Sequence, residues 1–255
     1  MAITIFPEMK LINDDCLTAL PTIPDKSIDL ILTDPPYGTT QCKWDSVIPF
    51  DLMWNELKRI LKDNGCIALF GTEPFSSNLR LSNLDWFKYD WVWNKKRISN
   101  PLLAKKQPLR NIELISVFYK QQPTYNPQPT LKSTAKGFSN KGHNKFHNTD
   151  SVSSKYIVDR NKTQIGYPKV LLDHIKVLNN LSKDKAGLHP TQKPIELCEY
   201  LIKTYTNEND TVLDFTMGSG STGVACKNLS REFIGIELDK KYFNIAKNRL
   251  NSILI

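Results

Sequence analysis

The stretch that decides the fold is Thr211-Val212-Leu213-Asp214-Phe215-Thr216-Met217-Gly218-Ser219-Gly220-Ser221-Thr222-Gly223, with Phe233-Ile234-Gly235-Ile236-Glu237 following it. Residues 211–214 form a short β-prone run, the glycines at 218, 220 and 223 make a literal G-x-G-x-x-G, and a helical pattern continues through Lys227. A second buried run then ends at Glu237, about 20 residues after the first glycine, the offset at which a carboxylate meets a ribose hydroxyl pair. The order is strand, glycine turn, helix, strand, acid. Glycines let the backbone approach a ligand closely, and the helix N-terminus offers N–H donors. Alone, this block suits a nicotinamide dehydrogenase almost as well as a methyltransferase.

A second motif, far upstream, separates the two. Ile28-Asp29-Leu30-Ile31-Leu32-Thr33 reads as a buried strand, and Asp34-Pro35-Pro36-Tyr37 follows it directly. In open α/β sheets ligands bind beyond the carboxyl ends of such strands. Pro35 and Pro36 remove two backbone donors, so the loop presents carbonyl oxygens. An exocyclic amine carries two N–H donors, which Asp34 and the Pro35 carbonyl can accept while Tyr37 stacks on the ring. A dehydrogenase has no use for such a pocket.

These residues resemble the amino-methylating DNA methyltransferases of the β-type, which use S-adenosylmethionine and carry an Asp-Pro-Pro-Tyr motif before a target-recognition region and a glycine-rich cofactor loop. The same order is found here, and His189-Pro190-Thr191-Gln192-Lys193-Pro194 resembles the family segment lining the methionine end of the cofactor. One departure stands out. The family usually reads Asp-Pro-Phe before the glycines, whereas this chain has Asp214-Phe215-Thr216, placing Thr216 where the aromatic is expected.

Seven strands are expected, around Lys10 to Ile12, Asp29 to Thr33, Cys66 to Phe70, Tyr89 to Trp93, Glu113 to Tyr119, Thr211 to Asp214 and Phe233 to Glu237. Apolar residues at three- and four-residue spacing predict helices over Asp51 to Leu61, Pro194 to Thr204 and Asp239 to Leu250. The pattern is α/β with helices on both faces of the sheet, and the resemblance implies the seven-stranded, mostly parallel Rossmann-like methyltransferase architecture with an inserted target-recognition region. Domain limits are expected at 1–120 for the catalytic half, 121–188 for the insertion and 189–255 for the cofactor-binding half.

The 255 residues suffice for one α/β domain with an insertion, and they contain no apolar run long enough for a membrane helix and no signal-peptide pattern. A cytoplasmic location is expected. Five cysteines form no C-x-x-C pair, which disfavours a disulfide framework and a zinc site. Cytosine-C5 methylation needs a nucleophilic cysteine, commonly announced by Pro-Cys, and no Pro-Cys occurs. His143, His147 and His174 are too loosely spaced to suggest a metal.

Charge is local. The chain carries a net +8, and residues 121–188 hold eleven Lys or Arg against four Asp, a local excess of seven. Lysines such as Lys132, Lys136, Lys141 and Lys145, interleaved with Tyr125, Phe138, Phe146, Tyr156 and Tyr167, suit phosphate contacts and stacking. A second basic cluster, Lys95, Lys96 and Arg97, with Lys105, Lys106 and Arg110 beyond, is expected to line the DNA groove beside the pocket, as the central lysines are expected to contact its phosphates. A solvated loop face is the plainer reading of the central region taken alone, which the two motifs reverse, and an equally good reading of any single lysine in the second cluster.

The expectation is therefore a site-specific DNA adenine-N6 methyltransferase that flips its target out of the duplex. Asp34 and the Pro35 carbonyl hold the amine, Pro36 shapes the rim and Tyr37 stacks. The resemblance implies cofactor contacts from Asp15, Asp214, Phe215, Thr216, Gly218, Gly220, Thr222 and Glu237, with Lys193 toward the carboxylate end. Family members for cytosine more often begin the motif with Ser, so Asp34 favours adenine. A cytosine-N4 methyltransferase and a catalytically silent DNA-binding remnant are the alternatives. Partners implied are double-stranded DNA, a second copy of the chain and a cognate restriction endonuclease.

Overall fold

A computed structural model describes residues 8–39, 45–96, 98–128, 130–131, 165–173, 175 and 192–251. The chain divides into two compact units, Met1–Asn126 with Lys169–Ile255, and Pro127–Pro168. The second unit is narrower than the expected 121–188 insertion. Its described strands, β6 (Thr130–Leu131) and β7 (Ile165–Gly166), pair antiparallel with each other.

The first unit is built on one sheet. Its strands are β1 (Met9–Ile12), β2 (Ile28–Thr33), β3 (Leu61–Gly71), β4 (Phe87–Asn94), β5 (Ile112–Phe118), β8 (Leu171–Leu172), β9 (Thr211–Asp214) and β10 (Glu232–Ile236), in the order β1-β10-β9-β2-β3-β5-β4-β8. All seven expected strands are present. The sheet has eight because Leu171 and Leu172 pair parallel with β4, and Leu172 and Ile175 are buried in the core. Among the described strands of this sheet, β5 alone runs antiparallel to both neighbours.

Alternation along the strands fills both faces. Leu30, Leu32, Cys66, Ala68 and Phe70 point to one side, where they pack with Leu197, Leu201, Ile202, Val224 and Ala246. Those partners come from α4 (Ile195–Tyr205), α5 (Ser221–Asn228) and α6 (Lys240–Asn251). Ile31, Ile67, Leu69 and Leu213 point to the other side, against Cys16, Ala19, Met53, Trp54, Leu57, Phe75 and Leu79. These belong to α1 (Cys16–Ala19), α2 (Phe50–Ile60) and α3 (Phe75–Leu81). In α2 the buried Met53, Trp54, Leu57 and Ile60 repeat at helical spacing, with Asp51 in the first turn and Lys58 and Arg59 in the last. Four cysteines, Cys16, Cys66, Cys198 and Cys226, are free and buried; Cys42 lies outside the described residues. No described helix is long and apolar enough to cross a membrane.

Candidate active site

The parallel strands β1, β10, β9, β2 and β3 all end on one edge of the sheet, and β5, being antiparallel, begins there. Backbone direction alone therefore gathers Asp15, Glu237, Asp214, Asp34, Phe70 and Glu113 around one cavity of about 400 Å³. Glu113 heads the antiparallel strand, so it reaches this edge although it starts its strand while the others end theirs.

Asp34 leaves β2 with Pro35, Pro36 and Tyr37, and all four line the cavity. The Tyr37 hydroxyl donates to Asp34 Oδ1, and the Lys193 ammonium donates to Asp34 Oδ2 at 2.5 Å. Each oxygen keeps a further lone pair. The Tyr37 ring rests against Phe75, centroids 4.9 Å apart. Burial, followed by the nearby carboxylates of Asp34 and Glu113, pushes the Tyr37 phenol well above its ordinary value, so it stays a donor.

The loop after Tyr37 is held by a residue that no motif announces. Asp45, buried, accepts from the backbone N–H of Tyr37 (2.8 Å), Gly38 (2.8 Å) and Thr39 (3.0 Å). The turn needs glycine at 38, where φ is +66° and a Cβ would stand 2.9 Å from Val47 Cγ2. Consecutive N–H groups converging on one carboxylate make a nest-like brace that fixes the Pro-Pro-Tyr segment.

Asp214 ends β9 and is 4% exposed. It accepts from the Thr33 hydroxyl at 2.6 Å and from the Thr216 N–H at 3.2 Å. Burial lifts its carboxyl to about 6, against hydrogen bonds from Thr33 and Thr222 that favour the ionised form. Thr216 sits in the gap between the motifs. Its hydroxyl oxygen lies 2.7 Å from that of Thr33 and 3.0 Å from the Asp34 carbonyl oxygen, within donating distance of both. A phenylalanine there could not make this link. Phe215 turns into the core beside Leu213 and Ile236 and also lines the cavity.

The glycine turn closes the far wall. Gly218 and Gly220 have φ of +53° and +78°, and Gly220 stands at the N-terminus of α5. Glu237 accepts from Gly218 N–H and Asp239 N–H, both at 2.8 Å, one on each oxygen, and the Leu238 N–H also favours its ionised form, which leaves at least one lone pair free. Burial raises its carboxyl above the ordinary range. Thr222 is buried at the start of α5, and Ser219 donates to Gln192 Oε1 at 3.4 Å. Asp15 lines the cavity while its Oδ1 caps α1 by accepting from Leu17 N–H at 2.8 Å.

Lys193, expected toward the carboxylate end of a cofactor, lines the same cavity, and its ammonium lies against Asp34, 3.6 Å from Glu113 and 4.9 Å over the Phe70 ring. Among the expected DNA contacts, Lys95 turns inward to within 3.9 Å of Glu113, and Lys96 is exposed at a φ of +54°. Lys105, Lys106 and Arg110 are exposed on the β4–β5 connection, at the cavity's edge of the sheet. Arg97, Lys132, Lys136, Lys141 and Lys145 lie outside the described residues, as do His143, His147, His174 and His189–Thr191. Among the described residues no His, Cys, Asp and Glu group could hold a metal ion. Sequence reasoning missed Thr33, Asp45 and Glu113. Glu113 did leave a signal, a lone charge heading an apolar strand.

The cavity suits a ligand with a ribose diol and a cationic centre. Glu237 offers a free lone pair, Asp214 can neutralise a positive group, and the glycine turn lets backbone come close. Comparison with known proteins gives the family. A family model described as DNA methylase, of the N6/N4 class, matches residues 28–248. The chain is 30% identical to the type II methyltransferase M.HinfI of Haemophilus influenzae, covering 95% of this chain and 68% of that protein. It is also 30% identical to the type II methyltransferase M.HpaI of Haemophilus parainfluenzae, covering 96% and 75%. Among solved structures, the M1.HpyAVI–SAM complex superposes with a TM-score of 0.60 at 27% identity, covering 95% of this chain and 99% of that one. The PvuII cytosine-N4-specific DNA methyltransferase shares the fold, with a TM-score of 0.63 at 17% identity over 97% and 90% of the two chains.

Proposed function

The chain belongs to the N6/N4 DNA methylase family, whose methyl donor is S-adenosylmethionine, and from that premise we propose that it methylates N6 of an adenine flipped out of duplex DNA. The observation that carries this reading is Asp34, at the end of β2, facing the cavity beside Pro35 and Tyr37. Asp34 and the Pro35 carbonyl accept the two amine hydrogens, which draws the nitrogen lone pair out of conjugation with the ring. The Asp34 carboxylate also stabilises the positive charge that develops on that nitrogen. No covalent enzyme intermediate is required, and the spare proton can leave after transfer. Tyr37, its ring braced by Phe75, provides the stacking face.

Bound S-adenosylmethionine supplies an electrophilic methyl group on a sulfonium centre. Glu237 holds its ribose hydroxyls, and Asp214 with the turn from Gly218 to Thr222 faces its cationic and sugar portions. Asp15 lies at the same wall. The target nitrogen lies inside the base stack, so flipping costs a few kcal/mol, offset by the pocket and by groove contacts. Those contacts are assigned to Lys96, to Lys105, Lys106 and Arg110, and to the basic centre with Arg97, Lys132, Lys136, Lys141 and Lys145. Asp rather than Ser at the head of the motif favours adenine over cytosine. The Thr216 bridge to Asp34 and Thr33 supports a working site over a silent remnant. A cognate restriction endonuclease and a homodimer belong to the same proposal.

Expression in a host lacking DNA methylation, followed by sequencing that distinguishes modified bases, tests this. N6-methyladenine at one short recurring sequence is expected; N4-methylcytosine there would overturn the choice of base.

A further inference from the structure

Two charged residues of the cavity, Lys193 and Glu113, have no part in the transfer step. Lys193 is nearly buried, its side chain 11% exposed, and its ammonium meets Asp34 Oδ2 at 2.5 Å. Glu113, 7% exposed, also lines the cavity, yet its closest charged partners among the described residues are Lys193 at 3.6 Å and Lys95 at 3.9 Å. A buried carboxylate with no shorter charged partner among the described residues is costly unless it serves to hold a charge. Its position, on the far strand from Asp34, makes it the second counter-charge of Lys193.

We propose that Asp34 and Lys193 form a base-reading pair, in which Asp34 accepts from the exocyclic amine while Lys193 donates to the ring nitrogen beside it. This rests on the assignment of the cavity to a flipped base. Adenine presents its amine next to N1, and cytosine presents its amine next to N3. Each edge is a donor beside an acceptor on the two nitrogens of an amidine. An acceptor oxygen and a donor ammonium 2.5 Å apart match that edge atom for atom. Guanine and thymine present the reverse, a ring N–H beside a carbonyl, and would set donor against donor and acceptor against acceptor. The pair therefore selects adenine and cytosine over guanine and thymine by charge as well as shape.

Two carboxylates around Lys193 weigh against the plainer role as counter-charge to an anionic end of a ligand, because that ligand would approach Asp34 and Glu113 at the same time. What remains to the ammonium is a hydrogen-bond donor. Phe70 lies beneath it, 4.9 Å from the nitrogen, and limits where it can move. Glu113 acts as a positioning residue that keeps Lys193 charged and in place when the base engages Asp34.

Duplexes carrying the mapped target site with adenine or with 1-deazaadenine, in which a C–H replaces N1 and the amine is kept, test the pair. Transfer rates are compared for wild type and Lys193→Met at saturating S-adenosylmethionine. Wild type should lose about 10- to 100-fold in kcat/KM on 1-deazaadenine, the value of a charged hydrogen bond. Lys193→Met should be slow on adenine and show little further loss on the analogue. Equal rates of wild type on both bases would overturn the proposal, and so would a full analogue penalty in Lys193→Met. A Lys193→Met variant whose only defect is weaker cofactor binding would return Lys193 to the cofactor. If the product is N4-methylcytosine, 3-deazacytosine takes the place of 1-deazaadenine with the same outcomes. Absence of transfer from wild type to unmodified DNA would sink the functional reading and the pair with it.

Discussion

The Thr33 hydroxyl donates to Asp214 across 2.6 Å, joining the strand that carries Asp-Pro-Pro-Tyr to the strand that carries the glycine turn. The two residues are 181 positions apart in the chain and meet because β2 and β9 are parallel neighbours, Ile31 opposite Leu213. Thr33→Val removes the donor while keeping the shape. Loss of a hydrogen bond to a buried carboxylate costs about 1–3 kcal/mol, so melting should drop by several degrees, and the Asp214 carboxyl should rise further. Cofactor affinity at neutral pH should fall several-fold; unchanged titration calorimetry would show that the link carries no energy.

Asp214 makes cofactor affinity depend on pH. Burial raises its carboxyl from 3.8 to about 6, so the folded chain disfavours the ionised form. Stability from this group is greatest below pH 3.8 and is lost as pH rises to about 6, on the order of 3 kcal/mol in all. A cationic ligand beside Asp214 repays that cost. S-adenosylmethionine should therefore bind more weakly below pH 6 than above it, and Asp214→Asn should flatten the dependence. An unchanged profile in the variant would place the titrating group elsewhere.

Asp45 predicts a defect in turnover separate from cofactor binding. Asp45→Ala strips the acceptor from three backbone N–H groups of the motif loop. Transfer should slow by about 10- to 100-fold and stability should fall by about 2 kcal/mol, with the cofactor dissociation constant unmoved. Asp45→Asn, keeping one acceptor oxygen, should recover part of the rate. Parallel loss of cofactor affinity would mean that Asp45 holds more than this loop.

Glu113→Gln bears on the charge of Lys193. Burial works to lower the Lys193 ammonium, and Asp34 and then Glu113 outweigh it, with Cys198 of α4 a smaller contributor in the same direction. Activity that needs the protonated ammonium is present at neutral pH and is lost as pH rises through its raised value. With Glu113 neutral that value falls, so the alkaline limb of kcat/KM should move to lower pH. A limb that stays where it was would detach Glu113 from Lys193.

Much of the framework was legible because buried strands are short, continuous and apolar. Ile28–Thr33, Thr211–Asp214 and Glu232–Ile236 stand within a residue of where their apolar runs predict. The helix expected over Asp51 to Leu61 is found at Phe50–Ile60, since its apolar residues repeat for three turns. α1 and α3 were missed, for four and seven residues are too few to display a period. β8 is two residues long and is a strand only because Val92 and Trp93 lie beside it. In the site, Asp34, Glu237 and the glycines carry their roles in local order. Asp45, Glu113 and the Lys193–Asp34 contact do not, because they depend on which strand lies next to which.

The most direct test uses purified wild type and Asp34→Ala with unmethylated DNA and isotopically labelled S-adenosylmethionine, followed by digestion and mass spectrometry of the nucleosides. Wild type should yield labelled N6-methyladenine and Asp34→Ala none, with cofactor binding within a few-fold in both. Labelled N6-methyladenine from Asp34→Ala at the wild-type rate, or loss of cofactor binding equal to the loss of transfer, would contradict the role given to Asp34.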